Sequence, residues 1–350
     1  MPPDIAEIEV IAPNLKRRLS GVTATIARLV PIQAGMIGIA ATGPGLPGHV
    51  PHLPLWRCFV LSRSRVRVWH ARRNTEMLLG LILKHLFQRR LKLLFTSASQ
   101  RRHSRYTRWL IGRMDGVIAT SQKTAAYLER PADVILHGID TEAFCPPRDR
   151  AALRRSLGLP EKGVIMGCYG RIRAQKGTDA FVEAALALLP DRPGVTALVM
   201  GRATDGHEAF LAGLKDRTAQ AGLSERLLFL PEVPVDRIAD WYRVLDLYVA
   251  PQRWEGFGLT PIEAMACAVP VVATRVGAFE EIVIEDTGSL VPPDDIPALT
   301  AAVAPWLDDA ARRGKGRASA LARIAARFRI EDEAHAIVAV YRRLLSGSQR

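Results

Sequence analysis

Leu247-Tyr248-Val249-Ala250-Pro251-Gln252-Arg253-Trp254-Glu255-Gly256-Phe257-Gly258-Leu259-Thr260-Pro261-Ile262-Glu263-Ala264-Met265-Ala266 opens on an apolar run and closes on an amphipathic one. Its pattern is that of a buried strand, a glycine-bearing turn at Glu255–Leu259, and the first turn of a helix. Pro261 suits that first turn, where a missing N–H costs nothing. Gly256 and Gly258 allow close backbone approach. Free N–H groups and the positive end of the helix dipole suit an anion at this place. Glu255 then sits on the turn and Glu263 one helical turn inside, so both carboxylates can face one cleft.

Upstream the same pattern recurs. The apolar run Gly163-Val164-Ile165-Met166-Gly167-Cys168 leads into Tyr169-Gly170-Arg171-Ile172-Arg173-Ala174-Gln175-Lys176-Gly177. Further strands are expected at Val195–Met200, Leu227–Leu230, Val269–Ala273 and Ser289–Val291. Helices are expected at Asp179–Leu189, His207–Ala221 and Ile238–Arg243, with a tail of Ala318–Phe328 and Glu331–Leu345. The first half alternates in the same way. Its strands are read at Ile8–Ala12, Met36–Ala41, Val66–His70, Lys92–Thr96, Gly116–Thr120 and Val134–His137. Its helices are read at Asn74–Arg89, His103–Met114 and Gln122–Glu129, after one that starts at Ser20-Gly21-Val22-Thr23 with Ser20 or Thr23 as cap. The fold class is therefore α/β, with parallel sheets covered on both faces. A chain of 350 residues can hold two such cores. Phe144-Cys145-Pro146-Pro147, followed by the charged Arg148–Arg155, reads as the linker and a leading helix.

Either strand–turn–helix alone is ordinary. Taken together, Glu-x7-Glu with Glu-Gly-Phe-Gly-Leu, and Gly-Arg-x4-Lys-Gly before it, resemble the retaining, nucleotide-sugar-dependent glycosyltransferases of the two-domain GT-B type. The resemblance implies two doubly wound Rossmann-like domains facing a central cleft. Residues 1–147 with 330–350 would bind the acceptor, the last helix crossing back, and residues 148–329 would bind the nucleotide sugar. It implies that Arg171 and Lys176 grip the donor diphosphate, beside Gly256, Phe257, Gly258 and Leu259. Glu263 would accept hydrogen bonds from the ribose hydroxyls, and Glu255 would lie near the transferred sugar. Retention would come from front-face attack, the leaving phosphate taking the acceptor's proton, and not from the carboxylate pair of glycosidases. Gly21 matches the loop that approaches the donor phosphates, although relatives often carry two glycines there. His70 matches a strand-end histidine that touches the transferred sugar, against the plainer reading of a satisfied core histidine. Arg72 and Arg73 are candidates for an acidic acceptor or simply solvated cations. His137-Gly138-Ile139-Asp140 matches a hinge-side Asn-Gly-Val-Asp and reads as structural.

Many sugar transferases hold a metal with Asp-x-Asp, and this chain has none. Asp294-Asp295 and Glu331-Asp332-Glu333 read as helix-start carboxylates. No metal site and no cofactor are expected, because Arg171 and Lys176 can offset the leaving charge as fork and point charge.

The net charge of +13 is lopsided, since residues 1–150 carry all of the excess. Arg57 to Arg113 holds fifteen Lys/Arg and one acid, Glu76. Such a run is either a solvated face or a surface for an anionic partner. Nucleic acid is disfavoured, for no DNA- or RNA-reading motif accompanies the charge. Four cysteines without Cys-x-x-Cys indicate neither disulfide framework nor zinc site. The start lacks a signal pattern, and no apolar run reaches membrane-span length. A cytoplasmic protein resting on the inner face of the membrane is expected.

Within the family, Trp69-His70-Ala71-Arg72-Arg73-Asn74 and Gln252-Arg253-Trp254 look most like the lipopolysaccharide core mannosyltransferases. That implies GDP-mannose as donor and a Kdo residue on lipid A as acceptor. The rivals are a UDP-sugar donor, another anionic lipid-linked or polysaccharide acceptor, and a catalytically silent module that binds anionic membrane.

Overall fold

Strands pair only in parallel throughout the computed structural model, which describes residues 5–16 and 21–347. The chain divides into two units, Met1–His137 with Ile330–Arg350, and Gly138–Arg329. The boundary falls before Gly138 and not after Pro147. The reason is Arg243, which donates to the carbonyls of Cys145 (2.9 Å) and Ala143 (2.8 Å), while the Phe144 ring packs on Tyr242. The expected linker is thereby part of the second unit.

In the first unit the strands are β1 (Val10–Pro13), β2 (Ile39–Thr42), β3 (Arg67–Ala71), β4 (Leu91–Ser97), β5 (Gly116–Ala119) and β6 (Asp133–Val134). They lie in the order β2-β1-β3-β4-β5-β6. The helix Ile330–Ser346 packs on this sheet, burying Ile337, Val338 and Tyr341 with Val10, Leu94 and Ile118. In the second unit β7 (Val164–Tyr169), β8 (Val195–Met200), β9 (Leu227–Leu230), β10 (Leu247–Ala250), β11 (Val271–Thr274) and β12 (Gly288–Val291) run in the order β12-β11-β10-β7-β8-β9. That is the dinucleotide-fold order 3-2-1-4-5-6, counted within the unit. Its strand order reverses between β7 and β10, and in such sheets ligands bind outside the carboxyl ends of the strands at that point. In the first unit the reversal lies between β1 and β3.

Some boundaries moved. The helix expected over Ala318–Phe328 starts eight residues earlier, at Ala310, because Asp309 caps it by accepting from Arg312 N at 2.9 Å. Gly314 and Gly316 hide that start in the sequence, and Gly316 is needed: a Cβ there would stand 2.7 Å from Trp306 Cζ3. Asp295 caps the helix Ile296–Asp308, as its reading as a helix-start carboxylate implies, although no bounds were given for that helix. The first helix spans Gly21–Ala34, and the Ser20 cap lies outside the described residues. Cys58, Cys168 and Cys267 are buried and Cys145 is half-buried, all as free thiols. Burial pushes Cys58 up to about 11 and Cys168 and Cys267 up to about 12.

Candidate active site

Two loops meet where the second sheet reverses. One follows β7 and carries Arg171 and Lys176; the other follows β10 and carries Glu255. They touch because residue 177 is glycine: its φ is +69°, and a Cβ would stand 1.9 Å from the Pro251 carbonyl oxygen. Across that contact Lys176 Nζ is ion-paired with Glu255 Oε2, the side chains being 22% and 18% exposed. Glu255 Oε1 accepts from Gly256 N at 3.0 Å, so that N–H is occupied by the carboxylate. Gly258, at φ +90°, leaves room for the glutamate, since a Cβ would press on Phe279 Cε1 (2.2 Å) and Glu255 Cγ (2.9 Å). Arg171 is exposed and makes no ion pair among the described residues. Glu263 lies in the helix Thr260–Ala266, whose second residue is Pro261. Its Oε2 accepts from Tyr242 Oη at 2.8 Å. Burial, then Glu263 itself, pushes the Tyr242 phenol well above its ordinary value, so it stays a donor. Tyr169 and Tyr248 pack around Tyr242 and hold it in place.

Arg253 joins these loops. Its fork binds both carboxylate oxygens of Asp179, at 2.7 and 2.9 Å, and it also donates to Asp294 and to the Ala174 carbonyl. Its backbone N–H reaches Gln175 O at 3.1 Å. Asp294, read as a helix-start carboxylate, is instead a partner of this arginine; Asp295 makes the cap. Gln252 beside it is buried, and its Oε1 has no hydrogen-bond partner among the described residues.

The strand ends of the first unit are different in kind. His70 is fully buried, with Nδ1 2.6 Å from Tyr341 Oη and Nε2 2.6 Å from Thr96 Oγ1. Arg72 also reaches Nδ1, at 3.4 Å, and can only donate. Nδ1 is thus the acceptor, and Nε2 carries the hydrogen. Burial first, then the Arg72 charge, hold the imidazole well below its ordinary pKa, so it is neutral. His70, expected to touch the transferred sugar, is thus buried with both ring nitrogens bonded, as in the plainer reading of a satisfied core histidine. Arg73 is not a plain solvated cation. It pairs with Glu76, at 2.8 Å with side-chain exposures of 12% and 0%, and donates to Asn14 Oδ1 at 3.0 Å. Glu76 Oε2 accepts from Arg72 N at 2.8 Å, so Arg72 is half-buried and held at both ends. Gly21 opens the first helix, near Thr23, whose hydroxyl donates to Asn14 Oδ1 at 3.0 Å.

Comparison with known proteins agrees with the geometry. Residues 149–322 match the family model described as glycosyl transferases group 1. Over 98% of its length the chain is 53% identical to the lipopolysaccharide core biosynthesis mannosyltransferase LpsB of Rhizobium meliloti, covering 99% of that protein. The chain belongs to the group 1 glycosyltransferases. The mannosyltransferase LpcC of Rhizobium leguminosarum bv. viciae is 51% identical over 99% of the chain and 99% of its own length. Among solved structures, Anabaena HepE in complex with UDP and glucose superposes with a TM-score of 0.80 at 20% identity, over 95% of this chain and 99% of that one. It shows that the fold is of the GT-B type.

For this glycosyltransferase, sequence reasoning singled out Lys176, Glu255 and Glu263 and missed Arg253, Asp179 and Tyr242. Arg253 was in view, two residues before Glu255, but its partners lie 74 and 41 positions away and no spacing rule joins them.

Proposed function

We propose that the chain transfers mannose from GDP-mannose to the Kdo region of lipid A in lipopolysaccharide core synthesis, with retention and without a metal. The single observation that carries this reading is the Lys176–Glu255 pair at the reversal of the second sheet, with the exposed Arg171 cation on the same loop as Lys176. The donor and acceptor are those implied by the likeness to LpsB and LpcC.

The bond from the anomeric carbon to the diphosphate oxygen breaks, and the carbon bonds an acceptor hydroxyl on the same face. The proton of that hydroxyl passes to the leaving diphosphate. Lys176 and Arg171 offset the charge that develops there, a role typically worth on the order of 10²–10³ in turnover. The turn from Gly256 through Phe257, Gly258 and Leu259 lies along the diphosphate. Glu263, held by Tyr242, binds the ribose, and Glu255 orients the sugar.

The acceptor lies at the inner face of the membrane, and the surface of the first unit supports this. Glu76, the one acid between Arg57 and Arg113, is buried and paired, so the exposed part of that segment carries cations and no carboxylate. Leu78, Ile82 and Leu86 recur at four-residue spacing as exposed side chains, and exposed Tyr106 stacks on exposed Trp109 in the same segment. No helix among the described residues is long and apolar enough to cross a membrane. Salt-sensitive flotation with anionic vesicles, weakened by Ile82→Asp, is the expected result; indifference of binding to lipid charge would contradict it.

Transfer from GDP-mannose to Kdo-bearing lipid A with EDTA present tests the chemistry. Turnover only with a UDP-sugar would replace the donor, and turnover abolished by EDTA would replace the metal-free mechanism.

A further inference from the structure

The geometry assigns to Arg253 the positioning of the Lys176–Glu255 pair. The inference rests on the proposed chemistry for what the pair does, but not for where it is held. Three segments converge on this one guanidinium. The loop after β7 offers the Ala174 carbonyl, the helix Thr178–Leu188 offers both oxygens of Asp179, and the loop after β12 offers Asp294. The arginine itself belongs to the loop after β10, and its N–H reaches Gln175 O. It therefore binds the residues on either side of Lys176 in the chain while standing two residues from Glu255.

A planar fork suits this task and a lysine does not. Two parallel N–H bonds to Asp179 fix the angle as well as the distance, and the remaining donors stay in the same plane for Ala174 and Asp294. Without the clamp the two loops still touch at Gly177 and Pro251, where the closest approach is to the Pro251 backbone. Lys176 and Glu255, both outside the α-helices and strands, would then sample positions off the productive one. Misplacement of about 1 Å is enough to cost on the order of 10²-fold in rate.

The test compares Arg253→Ala, Arg253→Lys and Asp179→Asn with wild type, using whichever nucleotide sugar the wild type turns over. A wild type silent with every donor would therefore count against the function proposed above and not against the clamp. Expected for Arg253→Ala is a kcat lowered about 10- to 100-fold, with acceptor KM and melting temperature unchanged. Arg253→Lys should recover only part of the loss, and millimolar guanidinium should restore some turnover to Arg253→Ala, which a purely structural role would not allow. Asp179→Asn should lower kcat in the same way and add little in the double variant. Wild-type kcat in Arg253→Ala, or losses that multiply in the double variant, would overturn the assignment. Should Arg253→Ala not fold, wild-type kcat in Asp179→Asn overturns it.

Discussion

Both sheets reverse their strand order, and the two reversal points are furnished with the same residue types to opposite ends. Between β7 and β10 stands a partly exposed Lys176–Glu255 pair, with Arg171 exposed on the same loop. Between β1 and β3 stands Arg73–Glu76, in which the carboxylate is wholly buried and both its oxygens are taken. An acid and a base at strand ends thus make a candidate site in one unit and a structural brace in the other. What separates them is exposure, since both oxygens of Glu255 are bonded as well, to Lys176 and to Gly256 N, yet that pair is open to solvent. A charged pair that solvent reaches can exchange a partner for a ligand, whereas one sealed from solvent has nothing to offer it.

The contrast can be broken most forcefully at the brace. Glu76→Ala removes the wholly buried half of this pair from beside the largely covered Arg73, and a loss of about 3 kcal/mol is expected in urea unfolding. Removing the Lys176–Glu255 pair should cost under about 1 kcal/mol of stability, since partly exposed pairs contribute little. Its effect should fall on turnover instead, with kcat for Glu255→Ala or Lys176→Ala down by on the order of 10²–10³. Equal stability losses at the two sites would erase the distinction.

Smaller effects sharpen it. Tyr242→Phe removes the hydroxyl that fixes Glu263 and should weaken donor binding by about 1–2 kcal/mol, seen as a raised donor KM. His70 supplies a pH signature. Its folded pKa lies well below 6.5, so the neutral ring favours the folded state fully above that value. As pH falls below 6.5 the unfolded chain takes up the proton first, and stability declines until the folded pKa is reached. His70→Gln should flatten that decline, measured by melting temperature between about pH 7 and pH 5. Arg72, Tyr341 and Thr96 are the groups facing the ring.

Much of this was legible in the sequence because it is local. β8, β9 and β10 have the bounds read from their apolar runs, and Glu255, Glu263 and Lys176 sit at turns that glycine and proline announce. The burial of His70 was not legible, because it depends on Tyr341, 271 positions away on a helix that returns to the first sheet. Arg73 looked like a free cation for the same kind of reason. Its partner Glu76 is close in the chain, but that Glu76 is buried is set by the sheet beneath it. The Arg253 clamp is invisible for want of any local pattern.

The most direct measurement is sugar transfer by wild type and Lys176→Ala from a panel of GDP- and UDP-sugars to Kdo-bearing lipid A, with EDTA present. The account predicts mannose transfer from GDP-mannose by the wild type and a loss on the order of 10²–10³ in the variant. Full turnover by Lys176→Ala would contradict it.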